Sequence, residues 1–147
     1  MMKLWITWGL VLMTSLLPAG LMASNEAPTA DQETRTQPID QLRLSEAVIC
    51  ETLEAFKPLN SSVVFSVTMG SVMCFTAFNH IPEQTSIFHD WIRRDKLVFR
   101  KKLLLKTPRW ASVSSIQLRE ADIGAWRVEV RDADGNLLRT LRFSITD

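Results

Sequence analysis

A histidine and a tryptophan two residues apart, His89 and Trp91, are the first residues in this chain whose types suggest chemistry. On an extended strand, positions i and i+2 project from one face. A ring for stacking and an imidazole for hydrogen bonding would then stand side by side, as a small-ligand or sugar contact requires. Trp110, next to Arg109 near a loop, is a third residue such a surface could recruit. The competing reading buries Trp91 in a core, with His89 hydrogen-bonded beside it. Trp126 keeps register with Val128 and Val130 and follows the core pattern. A metal pair of His80 and His89 lacks an accompanying carboxylate pattern. Ser112, Ser114 and Ser115 could be drawn with His89 as nucleophile and base, but no Gly-x-Ser-x-Gly elbow is present. Asp90, Asp95, Asp132 and Asp134 fall at turns or wet positions by pattern, whereas paired acids for general acid–base work need a pocket. These residues suggest no enzyme and imply no cofactor or resident metal.

Charge is the more concentrated feature. The stretch 93–109 holds eight basic residues against one acid, Asp95. On a strand through this stretch Arg100, Lys102 and Lys106 alternate onto one face. That face suits an anionic partner: lipid headgroups, cell-wall polymer or an acidic protein surface. The competing reading is an edge strand whose lysines block unwanted sheet pairing. With a net charge of +1 over 147 residues, nucleic acid is a poor partner.

The elements that must carry these residues read as strands. Trp126, Val128 and Val130 alternate with Arg127, Glu129 and Arg131. Asp134-Gly135 is a turn pair, and Leu141, Phe143 and Ile145 alternate after it. Thr85 to Arg93 alternates too, with Ile87, His89 and Trp91 on one face. Arg94-Asp95-Lys96 reads as a hairpin turn. Leu97 to Leu105 then alternates with Leu97, Phe99, Leu103 and Leu105 on one face. Further strand candidates are Ala47 to Thr52, Val63 to Val67 ahead of a turn at Gly70, Ser71 to Phe78 and Trp110 to Leu118. A single helical turn is conceivable near Leu118 to Ile123. Seven or so short strands point to an all-β, immunoglobulin-like antiparallel sandwich over residues 44–147, with a small open barrel as the alternative.

The N-terminal stretch, residues 1–23, reads as a secretory signal peptide: Lys3, an apolar run from Leu4 to Leu17, helix breakers at Pro18 and Gly20, and a cut after Ala23. An uncleaved anchor is the alternative, since about 20 apolar residues span a bilayer. If the signal is cut, no other stretch is long enough to span. Residues 24–43 are polar, contain Pro28 and Pro38, and read as a disordered linker. Export would place Cys50 and Cys74 in an oxidising space, where a disulfide closing the 24-residue separation is expected. Two buried free thiols are the alternative.

Several marks occur together in order. They are Ala47-Val48-Ile49-Cys50, Val72-Met73-Cys74-Phe75-Thr76, His89-Asp90-Trp91, Arg109-Trp110 with Ser112 and Ser114-Ser115, Gly124-Ala125-Trp126-Arg127-Val128-Glu129-Val130, and Asp134-Gly135 ahead of a final Arg142-Phe143 strand. The set resembles the Domain of Unknown Function 2914 family over about residues 46–146. One departure is the lack of a second Trp around Val113. The resemblance implies a β-domain in the bacterial envelope and no assigned activity. The expectation is thus a periplasmic or otherwise exported, non-catalytic binding or assembly module, meeting an envelope protein or an anionic envelope component. A carbohydrate or small-ligand domain using His89, Trp91 and Trp110 is the alternative.

Overall fold

The computed structural model describes residues 40–147. The expected signal peptide and most of the expected linker lie outside the described residues. Ten strands follow in order: β1 (Arg43–Cys50), β2 (Thr52–Glu54), β3 (Lys57–Leu59), β4 (Val64–Ser66), β5 (Ser71–His80), β6 (Thr85–Arg93), β7 (Lys96–Leu105), β8 (Trp110–Gln117), β9 (Gly124–Arg131) and β10 (Leu137–Thr146). Each of the seven long strands overlaps a strand read from the sequence, and the other three have three residues each. Among the described residues no helix is long and apolar enough to cross a membrane.

The strands form a three-stranded sheet, β1-β5-β8, and a five-stranded sheet, β4-β10-β9-β6-β7, with β2 and β3 as a separate hairpin. All pairings are antiparallel except β4 with the end of β10. The two sheets close on each other as an immunoglobulin-like sandwich. Ile49, Val72 and Cys74 from the smaller sheet meet Phe65, Trp91, Trp126, Val128, Phe143 and Ile145 from the larger. The chain passes between sheets just before β4. Ser62 N–H donates to the Ile49 carbonyl at 3.3 Å, and the Val63 carbonyl accepts from Ser144 N–H at 2.9 Å.

Alternation explains the burial in β9, where Trp126, Val128 and Val130 are buried and the residues between them are not. The β9–β10 connection is organised by Asp132. Its Oδ1 accepts from the N–H groups of Asp134 and Asn136 at 3.0 and 2.8 Å. Gly135, with φ +87°, supplies the left-handed residue this turn needs.

Two expectations are overturned here. Cys50 and Cys74 are free thiols, both buried. Their strands are neighbours, but the register opposes Cys74 to Ile49 and Cys50 to Met73. Directly opposed residues share a face and the next residue takes the other, so the two thiols leave the ladder on opposite sides. The second correction concerns β7. The expected dry face is largely wet: Leu105 is buried and Leu103 partly so, but Leu97 and Phe99 are exposed. A three-stranded sheet is too narrow to cover all five strands facing it.

Candidate functional site

His89 and Trp91 lie on the core face of β6, both fully buried. His89 Nδ1 is 2.8 Å from Ser114 Oγ, and His89 Nε2 is 3.1 Å from Thr76 Oγ1. Trp91 Nε1–H donates to Ser114 Oγ at 3.0 Å, and Thr76 Oγ1–H donates to the Ser112 carbonyl at 3.4 Å. Only one proton arrangement satisfies every group. The Thr76 proton goes to the Ser112 carbonyl, so Thr76 Oγ1 accepts from Nε2–H. That leaves Nδ1 as an acceptor for the Ser114 hydroxyl, which itself accepts the indole proton. The chain therefore runs from Trp91 to Ser114 to His89 to Thr76 to Ser112. Burial drives the His89 pKa down to about 4, against a smaller opposing pull from Asp90. The imidazole is neutral near pH 7, and both its nitrogens are occupied.

This arrangement removes the aromatic ligand platform. His89 and Trp91 sit in the core, and Trp110 is exposed, with Lys106 Nζ over its ring at 5.1 Å from the centroid. The three residues do not share a surface. The Ser114–His89 hydrogen bond resembles a nucleophile–base pair, but Ser114 is buried and its oxygen is already engaged by the indole. A histidine with so low a pKa is a weak general base at neutral pH. Among the described residues no three His, Cys, Asp or Glu side chains converge as a metal site.

Asp90 is a further correction to the pattern. Read as wet, it is buried, although it points to the outer face of the larger sheet. Arg100 covers it with two hydrogen bonds of 2.6 Å, and Arg131 Nε lies 3.5 Å away. Across the sheet Asp90 opposes Glu129, whose carboxylate is held by Arg127 and Arg131. Hydrogen bonds from Arg127 and Arg131 outweigh burial and hold the Glu129 pKa below the usual carboxylate range. Phe88 lies under Arg100, 5.4 Å from the guanidinium carbon to the ring centroid. The register β7–β6–β9 assembles this ladder from residues that no local spacing connects.

The proposed basic face is therefore divided. Arg100 is committed to Asp90. Lys102, opposite Phe88, has no ion-pair partner among the described residues. Lys106 follows the end of β7 and stacks on Trp110. Lys101, which the face reading omitted, projects toward β8.

Between β7 and β8 runs an open cleft in two joined parts. One, of about 230 Å³, is lined by Phe99, Lys101, Val113, Ser114 and Ser115. The other, of about 370 Å³, adds Val98, Ile116 and Trp126 along its walls. β7 is the last strand of its sheet, with no described strand on its far side. It exposes Leu97 at 49%, Val98 at 55%, Phe99 at 40% and Leu104 at 50%, beside the lysines. A larger groove of about 580 Å³ lies on the opposite flank, between β1 and β10, and brings only one cation, Arg142.

Residues 84–145 match a family model described as Protein of unknown function (DUF2914). The matched segment is less than half of the chain. The match is shorter than the sequence resemblance implied. It spans β6 to β10 and leaves out β1, β5 and both cysteines. The matched segment thus contains the whole of the β6–β7 hairpin, the Asp90 ladder and both walls of the cleft. No curated protein matches the chain.

Proposed function

We propose that this domain is a non-catalytic binding module of the bacterial envelope that meets an anionic partner through the edge of its larger sheet. The observation that carries the reading is β7: an edge strand of ten residues, with no described strand on its far side and four large apolar side chains exposed among Lys96, Lys101 and Lys102. Solvent-exposed apolar surface of this kind, flanked by one sign of charge, marks contact surfaces. The contact set moves from Arg100, Lys102 and Lys106 to Lys101, Lys102 and Lys106, because Arg100 holds Asp90.

Retention on immobilised polyglutamate tests the reading. The wild-type chain is expected to bind at low salt and elute as salt rises. Replacing Lys101, Lys102 and Lys106 with Gln should abolish retention and leave the urea midpoint unchanged. Equal retention of the variant and the wild type refutes the assignment of the surface. Export rests on the N-terminal pattern alone, because the cysteines do not cross-link. N-terminal sequencing of protein from an envelope fraction should begin at Ser24; recovery of the whole chain from the cytosol refutes export.

A further inference from the structure

We infer that the partner, on the binding reading above, is an extended polypeptide segment that adds as a strand along Phe99–Leu105, with apolar side chains toward the β7–β8 cleft and acidic ones on the outer face. A bulge at Val98 interrupts the β6–β7 ladder, since Trp91 opposes Phe99 while Ile92 opposes Leu97. From Phe99 onward the pairing is regular to Leu105, so the outer backbone groups of that segment form an even row. An unpaired row of this kind is a template for another strand.

The side chains define which strand fits. Successive residues of an added strand point alternately to the two faces of the sheet. One set would enter the cleft, whose walls include Phe99, Val113, Ile116 and Trp126. The other would lie on the outer face beside Arg100 and Lys102, the positions opposing Asp90 and Phe88. Asp90 neutralises Arg100 in large part, but Lys102 keeps its charge unanswered among the described residues. Apolar residues alternating with acids match both faces.

The same charges select against a second copy of this chain. An antiparallel pairing of β7 with itself centred on Lys101 would set Lys101 against Lys101 and Arg100 against Lys102. Like charges directly opposed destabilise a strand pair. Ten residues without Pro leave the strand's cations as its main guard against indiscriminate pairing. A guard that works by charge admits an acidic strand.

Panning a display library of random peptides against the purified full chain tests the inference. The selected peptides should alternate apolar and acidic residues. A synthetic copy of one should slow amide exchange in Phe99–Leu105 by about tenfold or more. Methylating its alternate backbone nitrogens on the edge facing β7 should weaken binding by roughly tenfold or more, because those donors pair with the strand. Peptides that need Lys101 and Lys102 but tolerate methylation would overturn strand addition and leave the anionic-partner reading intact. Capture by phosphatidylglycerol vesicles with no peptide selected would also overturn it, making the edge a lipid contact. Self-association that Phe99→Glu abolishes would replace the foreign strand with a second copy. No peptide selected, no vesicle capture and no polyglutamate retention would remove both the inference and the reading beneath it.

Discussion

His89 ties the core of this sandwich to the pH of its surroundings through one proton. In the folded chain its pKa is about 4, whereas its ordinary value is 6.5. Between those values the unfolded chain takes up a proton that the folded chain refuses. Stability is therefore full above about pH 6.5 and falls as the pH drops toward 4, by roughly 3 kcal/mol at its full extent. Urea midpoints measured across this window should fall for the wild type and flatten for His89→Gln. A parallel slope in the variant would show that other groups carry the effect. Ser114 is the adjoining test. Ser114→Ala leaves the Trp91 indole N–H without an acceptor and His89 Nδ1 without a donor. Equilibrium unfolding should show a loss of about 2–4 kcal/mol. The His89–Trp91 pairing on one face was legible from their spacing. Their partners, Thr76 and Ser114, were not, because they arrive from the other sheet.

At the scale of elements, the turns separate what spacing reveals from what it hides. The β9–β10 hairpin was readable because Asp134-Gly135 is a residue pair that tolerates a left-handed backbone. The β2–β3 hairpin was not. Its turn is Ala55-Phe56, both with positive φ, at +47° and +60°, and neither residue signals that conformation. Phe56 is 76% exposed, so replacing it sacrifices little packing. The double substitution Ala55→Asn, Phe56→Gly should raise stability by about 1 kcal/mol, read as an increase in Tm. An unchanged or lower Tm would show that the hairpin does not couple to folding. The β6–β7 turn at Arg94-Asp95 has the same pair of angles. It was nonetheless readable, since two clear alternations flank it. Asp95 also accepts a 2.6 Å hydrogen bond from Arg127, which ties the turn to β9.

Across the whole molecule, stability and the exposed edge share one origin, the mismatch of three strands against five. Where the sheets do overlap, Phe143 is enclosed by Phe65, Trp91 and Trp126, with centroids 6.0, 6.1 and 6.3 Å away. Phe143→Ala should cost about 3–5 kcal/mol in denaturant unfolding. A loss under about 1 kcal/mol would mean that the sheets repack around the void. Both thiols are buried, Cys74 within the core between the sheets. Burial raises the pKa of Cys74, with a smaller push from Cys50, and burial followed by Glu46 raises that of Cys50. A maleimide should label both only as fast as the domain unfolds, with identical mobility on reducing and non-reducing gels. Rapid labelling of the folded chain, or a mobility shift on reduction, would contradict the β1–β5 register.

Residue order by itself determined the class of this domain. Alternation of apolar and polar residues in β6, β9 and β10 dictates two-sided strands, and strands of that number and length must stack to hide their dry faces. It also placed nearly every long strand and the concentration of positive charge around β7. Tertiary structure decided the rest: that β7 stands at an edge, that Asp90 is covered by Arg100 and Arg131, that Ser114 meets His89, and that Cys50 and Cys74 face apart. The reason is physical. Period-two spacing tells which side of a strand a residue occupies, but pairing order and register tell what lies across from it, and those depend on contacts far apart in the chain.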